Sequence, residues 1–483
     1  MSTPSTEATP APGERLDGLP EHVVIRQLYL GCLSQASYLV GDAVTGRAVA
    51  VDPQRDTDGI LAAAAEDGLT IELVIETHFH ADFLSGHLEL AAATGAEIGI
   101  GAAGTTDFPS RPLADGQVVD LGGVQLEVWA TPGHTPESIS ILVRPAPGEE
   151  PVAVLTGDTL FIGDVGRPDL LVSAGFSAAD MGARLYHSVH RLLGLPDPTL
   201  VLPAHGAGSA CGRAMSTETV STMGVQRTEN AALQPMSKEA FVAFVTEDQP
   251  AAPEYFGHDA RLNRTDHPLL DEHTPPRELE LADVEAAVAS GAVLLDVRPV
   301  EDFAGGHLAG SINVSLSGRY AEQVGSVVRP GSSIVLIGDA DSALEAKVRL
   351  GRIGFDDVVG VLTHVELALA DDPTRARQLS RLTAGQFARR RDELGDRLQF
   401  VDVRNPSEVE AAPVAGAHNI PLARLRDRLV DLDPMRPVVL MCAGGARSAV
   451  ASSLLLASGF ADVSDIVGGA AALGGGPSSC STA

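Results

Sequence analysis

Lysine is almost missing from this chain. In 483 residues it stands only at Lys238 and Lys347, and Lys plus Arg reach 34 against 64 for Asp plus Glu. A net charge of −30 leaves little positive surface for a polyanion, so nucleic acid is excluded as a general partner. Cysteine is scarce too. Cys32, Cys211, Cys442 and Cys480 are too few for a disulfide framework in so long a chain, and a reducing cytoplasmic location is expected. No apolar run nears the ~20 residues that cross a bilayer, so no membrane partner is expected. The opening MSTPSTEATPAPGERLDG lacks the basic start and apolar stretch of a secretory signal. Rich in Pro, Ser and Thr, it reads as a disordered tail over residues 1–21. What is present is an ordinary globular balance, 44% hydrophobic and 20% charged, with material for several cores. At about 150 residues per domain, the length implies roughly three domains.

The second half repeats itself. Leu294-Leu295-Asp296-Val297-Arg298-Pro299 is echoed by Phe400-Val401-Asp402-Val403-Arg404-Asn405, and Gly310-Ser311-Ile312-Asn313-Val314 by Gly416-Ala417-His418-Asn419-Ile420. Short Val/Ile/Leu runs alternate with helical stretches such as Ala449–Ser458, which implies parallel sheets flanked by helices. Two related α/β domains are therefore expected at 278–372 and 373–473, followed by a disordered tail over 474–483. The first part, 22–230, differs. Ala48–Val51, Leu73–Glu76, Val124–Trp129, Ile139–Val143 and Val152–Leu155 read as strands, and His- or Asp-bearing loops follow several of them. An α/β sandwich is predicted there. Residues 231–277 carry six prolines, from Pro235 to Pro276, and read as an extension and linker.

Four of the loops could build a metal site at one sheet edge. They are Thr77-His78-Phe79-His80-Ala81-Asp82-Phe83, Thr131-Pro132-Gly133-His134-Thr135, Thr156-Gly157-Asp158-Thr159 and Leu202-Pro203-Ala204-His205-Gly206. Any one His could be a core residue satisfied by hydrogen bonds; the combination is far more specific. Together the four segments resemble the metallo-β-lactamase superfamily, which implies an αββα sandwich. One position departs from the pattern of its hydrolases. Where His-x-His-x-Asp-His would place a donor for a second metal, this chain has Phe83. One metal held by His78, His134 and Asp158 then remains. Two imidazoles and a carboxylate with open positions suit non-haem Fe(II), with zinc as the alternative metal.

Within that superfamily the sequence resembles persulfide dioxygenases fused to rhodanese domains. The resemblance implies one Fe(II) per chain on His78, His134 and Asp158, with His80, Asp82 and His205 orienting ligands and water around it. It implies a thiol persulfide and O₂ as substrates and sulfite and thiol as products. A homo-oligomer is expected by the same analogy. Gly163–Asp169 resembles the family's Gly-Arg-x-Asp loop, so Arg167, with Asp169, is a candidate for holding the acidic thiol carrier; an Arg167–Asp169 ion pair is the equally weighted alternative. Cys211 reads as a small packed residue.

The second repeat contains Met441-Cys442-Ala443-Gly444-Gly445-Ala446-Arg447-Ser448, a Cys-x-x-Gly-x-Arg loop between a strand and a helix. It resembles the rhodanese active site. Small residues can turn backbone N–H groups onto an anion, and a helix N-terminus with Arg447 favours the thiolate. Cys442 is thus the candidate nucleophile for sulfane sulfur, with sulfite or thiosulfate as partners. Asp402 and Arg404 read as framework. The first repeat has no Cys; Asp339 and Asp341 occupy its corresponding loop, which predicts an inactive copy, with His307 in a turn. A thioester hydrolase like glyoxalase II, with two metal ions, is the alternative function. A non-catalytic sulfur carrier with a structural metal is a third, disfavoured because structural zinc sites are commonly Cys-rich.

Overall fold

Apolar residues alternate sides along the early strands, and that alternation builds a two-faced sheet. The computed structural model describes residues 13–474 apart from 171, 173, 174, 214, 248, 250 and 251. It divides into two units, Met1–Gln249 with Gly257–Leu270, and Pro250–Phe256 with Asp271–Ala483.

In the first unit, β1 (Glu14–Arg15), β2 (Val23–Leu30), β3 (Gln35–Asp42), β4 (Arg47–Val51), β5 (Thr70–Glu76), β6 (Glu97–Gly101) and β7 (Arg111–Leu113) lie side by side in chain order. The pairing is antiparallel up to β4 and parallel beyond it. A second sheet runs β8 (Val118–Asp120), β9 (Gln125–Ala130), β10 (Ile139–Arg144), β11 (Ala153–Gly157), β12 (Leu200–Pro203) and β13 (Ser221–Thr222), again in chain order. Val23, Ile25, Tyr38, Val40, Val49 and Ile75 of the first sheet meet Leu126, Val128, Ile141, Val143, Leu155 and Leu202 of the second in the central core. The intervening residues point outward. Val24, Leu39, Ala50 and Val74 pack on helix α1 (Asp58–Glu66) through Ile60 and Ala63. Leu142, Val154 and Val201 pack on helix α3 (Ala178–Leu192) through Leu185, Val189 and Leu192. Each fully buried Val, Leu or Ile side chain contributes about 1.5–3 kcal/mol. Helix α2 (His87–Thr94) lies on the same face as α1 through Leu90. Helices outside two facing sheets make an αββα sandwich.

Two expectations change here. Residues 13–21 lie inside the expected tail, yet Glu14 and Arg15 pair with Gln27 and Arg26 of β2; residues 1–12 fall outside the described residues. The extension and linker of 231–277 holds the helices Lys238–Thr246 and Tyr255–Leu262. Its prolines stand between the helices rather than within them, so they delimit structure and do not prevent it. Phe241 and Val245 join the core outside the second sheet.

The second unit holds two parallel sheets. One runs Ile312–Asn313, Val293–Asp296, Ile334–Ile337, Val358–Leu362; the other runs Ser380–Leu382, Val463–Ile466, Val438–Met441, Gln399–Asp402, His418–Asn419. The repeat is exact in its hydrogen bonds. Asn313 Nδ2 donates to the carbonyls of Asp296 and Arg298, and Asn419 Nδ2 to those of Asp402 and Arg404, all at 2.9 Å. In each copy the arginine also pairs with the aspartate two residues before it. His307 departs from the turn expected of it. It is buried, stacks on Phe303 at 3.7 Å and pairs in a short strand with Arg377. The expected tail, with Cys480, lies outside the described residues from 475 onward.

Candidate metal centre and sulfur-transfer site

Asp52 follows directly on β4, Thr77-His78 on β5 and Asp158 on β11, while β9 and β12 run into the loops carrying His134 and His205. β4 and β5 are parallel, as are β11 and β12, so these ends meet along one edge of the sandwich. His78, His134 and Asp158 each offer a ligand atom within 4.8 Å of the others, and all three are buried. His78 Nε2 is 3.7 Å and His134 Nε2 3.5 Å from Asp158 Oδ2. Gly157 allows that approach: its φ is +53°, and a Cβ there would stand 2.6 Å from Thr77 Oγ1.

Neighbouring groups select the imidazole tautomers. Thr77 Oγ1 lies 2.8 Å from Asp52 Oδ2 and 3.0 Å from His78 Nδ1. Its single proton goes to the carboxylate, so His78 Nδ1 carries the hydrogen and donates, which leaves Nε2 a bare acceptor. His134 Nδ1 lies 3.0 Å from the Arg167 carbonyl, which can only accept, so His134 Nε2 is bare too. Burial pushes the pKa of both rings down, that of His78 well below the usual value. His78 Nε2 and Asp158 Oδ2 are buried with no hydrogen-bond partner. Two neutral imidazoles and a carboxylate, with converging unpartnered atoms, fit a metal cation.

His205 braces the third ligand. Its Nδ1 is 2.7 Å from Asp158 Oδ1, and its Nε2 3.0 Å from Asp82 Oδ2. Burial alone would discharge the ring, but the two carboxylates hold its pKa well above the usual value. Burial likewise opposes charge on Asp82, yet His205 holds its pKa at about 2. His80 Nε2 faces away from this pair, toward Asp52 Oδ1 at 3.0 Å and Glu76 Oε2 at 3.5 Å. His80, Asp82 and His205 also form a set of donors within 4.8 Å of one another. Beside them stands Phe83, buried, its ring 4.3 Å from that of His80 and 6.1 Å from that of His205. An apolar face therefore occupies ground next to that second set.

For Arg167 the structure shows the ion pair. Its guanidinium forks onto Asp169 at 2.8 and 2.7 Å and donates to the Ala210 carbonyl. What Arg167 turns toward the candidate ligand His134 is its backbone carbonyl. Cys211 is buried, and burial pushes its thiol pKa well up. Asp52, Thr77, Glu76 and the Arg167 carbonyl were not singled out from the sequence. Asp52 had a visible cue, an Asp-Pro directly after the strand Ala48–Val51. A backbone carbonyl leaves none.

In the second unit Cys442 follows the strand Val438–Met441 and precedes the helix Ala446–Ala457. Its Sγ accepts from the Gly445 N–H at 3.1 Å and lies 3.6 Å from the Ser448 hydroxyl. Gly469 passes so close that a Cβ would be 2.2 Å from the Cys442 carbonyl. Arg447 forks onto Glu408, with both bonds at 2.7 Å. Burial opposes its charge, but Glu408 raises its pKa. Contact with Sγ therefore comes from a backbone N–H and a hydroxyl, while Arg447 acts through its charge. In the first repeat Asp339 Oδ1 caps the helix Ala340–Gly351 through the Ser342 N–H at 2.8 Å, placing a carboxylate at the corresponding turn.

Comparison with known proteins gives the same two families. The Metallo-beta-lactamase superfamily profile matches residues 30–205, and the Rhodanese-like domain profile matches 280–364 and 383–474. A hydroxyacylglutathione hydrolase of Rhodospirillum rubrum is 32% identical over 229 residues, 47% of this chain and 80% of the relative. The human persulfide dioxygenase ETHE1, mitochondrial, is 30% identical over 223 residues, 46% of this chain and 79% of the relative. The chain spans about half (52%) of the Beta-lactamase hydrolase-like protein of Xylella fastidiosa, at 31% identity over 245 residues, 44% of this chain. Among solved structures, a metallo-beta-lactamase from Staphylococcus aureus aligns with a TM-score of 0.64 and 32% identity, covering 71% of this chain and 99% of that one. The chain belongs to the metallo-beta-lactamase superfamily. More particularly, it is a superfamily member whose sandwich is followed along the chain by two rhodanese-like domains, the second of which has a cysteine, Cys442, between its strand and helix. No helix among the described residues is long and apolar enough to cross a membrane.

Proposed function

We propose that this chain is an iron-dependent persulfide dioxygenase coupled to rhodanese sulfur transfer. The balanced reaction is R–S–SH + O₂ + H₂O → R–SH + HSO₃⁻ + H⁺, with a low-molecular-weight thiol as R–SH. Cys442 carries sulfane sulfur as Cys–S–SH; passing it to sulfite returns the thiol and gives thiosulfate. The observation that carries the reading is the donor set of His78, His134 and Asp158 with Phe83 beside the neighbouring one. That arrangement supports one metal ion, and the 30% identical human persulfide dioxygenase supports the same chemistry. Fe(II) held by these three residues would supply open positions and the electrons that O₂ activation requires.

The protein's own part is positional. Thr77 and the Arg167 carbonyl turn both imidazoles toward one point. His205, tied to Asp82, steadies Asp158. Phe83 and Phe161, both buried, keep apolar surface around His205, which limits water where a reactive sulfur species would be handled. At the other site the Gly445 N–H and the Ser448 hydroxyl hold the sulfur of Cys442.

A thioester hydrolase is the second reading. The set of His80, Asp82 and His205 favours it, as does the 32% identical hydroxyacylglutathione hydrolase. The two separate in one experiment. Protein loaded anaerobically with Fe(II) is given glutathione persulfide in an oxygen electrode, and zinc-loaded protein is given S-lactoylglutathione. Oxygen uptake with sulfite formation, and slow thioester hydrolysis, is the expected result. Hydrolysis without oxygen uptake from any thiol persulfide overturns the proposal in favour of the hydrolase.

A further inference from the structure

We propose that Asn263 is a positioning residue of the metal centre. It lies well beyond the sandwich strands and outside the span, 30–205, that matches the superfamily profile. It follows the helix Tyr255–Leu262, in the stretch Gly257–Leu270 that belongs to the first unit.

Asn263 is 2% exposed, and its amide is spent on a single loop. Nδ2 donates to the carbonyl of His80 and to that of Phe83, both at 2.8 Å, and Oδ1 accepts the N–H of Ser85 at 2.9 Å. These are the residues that immediately follow the ligand His78. Two carbonyls of one turn are drawn to one amide nitrogen, and the next N–H closes on its oxygen. Carbonyls buried without a donor are costly, so the turn is held where Asn263 stands. The consequence passes along the site. The turn carries Asp82, which ion-pairs with the His205 ring at 3.0 Å, and His205 Nδ1 bonds the candidate ligand Asp158 at 2.7 Å. It also carries Phe83, whose ring lies against His80.

The surrounding stretch is stitched to the same unit by contacts that do not depend on Asn263. The Arg264 guanidinium lies 4.6 Å from the Phe79 ring centre, and the Arg264 carbonyl accepts the Asp107 N–H at 2.9 Å. The Pro268 carbonyl accepts from Arg55 at 2.7 Å, and Leu270 N–H donates to Glu89 at 3.0 Å. The stretch therefore has anchors of its own, and the three bonds of Asn263 are free to serve the loop.

The inference rests on His78, His134 and Asp158 forming the metal site, and the test separates failure of that reading from failure of this one. Full-length protein is stripped of metal and titrated with Co(II) under argon against a chelator, and the visible d–d absorption of bound Co(II) is recorded. N263D preserves size and the acceptor but removes both donors and sets a carboxylate oxygen against two carbonyls. It is expected to bind Co(II) at least about tenfold more weakly and to shift the absorption bands, in line with other outer residues of metal sites. N263A is expected to do the same. R264A, which removes the contact with the Phe79 ring but none of the three Asn263 bonds, should stay within about twofold. Thermal melting and circular dichroism report folding. If N263A and N263D do not fold, N263S, with one hydroxyl to donate, takes their place, with an intermediate loss and band shift expected. Wild-type affinity and spectrum in N263D overturn the proposal, because filling space is then all that the position requires. Wild-type protein that binds Co(II) no better than H134A overturns the metal-centre reading itself.

Discussion

Replacing Thr77 with valine removes one hydroxyl and almost no volume. That hydroxyl stands between Asp52 Oδ2, at 2.8 Å, and His78 Nδ1, at 3.0 Å, in a fully buried position. In T77V the His78 ring loses the acceptor that selects its tautomer, and Asp52 loses one of its donors. Asp52 retains the Thr77 backbone N–H at 2.7 Å, so the carboxylate is weakened rather than stranded. A hydrogen bond to a charged group is worth about 1.5–3 kcal/mol. Losing an outer partner of a metal-ligating His costs about 10–100-fold in affinity, which is about 1.4–2.8 kcal/mol, the same range by a separate route. Chelator competition with Co(II) or Fe(II) under argon measures it. T77V should bind at least about tenfold more weakly, while T77S, which restores the hydroxyl, should match wild type within a few-fold. The metal-free T77V protein should also melt lower, by about 2–4 °C per kcal/mol for a unit of this size. Equal affinities for wild type and T77V would refute the claim that Thr77 orients His78.

The other expected outcomes are more direct. F83H places an imidazole beside His80 and His205 and should raise bound metal from one ion per chain toward two, measured by elemental analysis after zinc loading. H134A should abolish persulfide-dependent oxygen uptake while sulfur transfer at Cys442 continues; C442S should do the reverse, as read by an oxygen electrode and a thiosulfate assay on the same preparations. The Arg26–Asp67 pair, nearly buried at 2.5 Å, bears on acid stability. Arg26 holds the Asp67 pKa below its ordinary value, so the stabilisation is present above the unfolded value of about 3.9 and is lost as pH falls through the lower, folded value. Urea denaturation of wild type and D67N should show a gap at neutral pH that closes below about pH 4.

The side chains that converge at the candidate metal position, and the cysteine of the strand-to-helix loop, were readable because the chemistry they suit restricts residue type. His78, His134, Asp158 and Cys442 each stand just past a strand of Val, Ile and Leu, and periodicity locates those strands. The sandwich and the parallel sheets follow from the same runs. What escaped was contact through the backbone or from far along the chain. His134 is oriented by a carbonyl of Arg167, and any residue has a carbonyl. Asn263 sits among prolines that suggest a linker, yet it reaches back about 180 residues to the His80 turn. The glycines around His307 suggest a turn, but stacking on Phe303 and pairing with Arg377 decide its place. Arg447 fits the spacing of a thiolate partner, and only the folded chain shows its guanidinium held by Glu408.

The central claim, oxidation of a persulfide at the sandwich and sulfur transfer at Cys442, comes down to a stoichiometry. C442S protein, loaded anaerobically with Fe(II), is given a limiting amount of glutathione persulfide in air-saturated buffer, and oxygen consumed and sulfite formed are measured together. The account predicts one sulfite for each O₂ consumed and no thiosulfate. Oxygen uptake without sulfite, or persulfide loss without oxygen uptake, would contradict it.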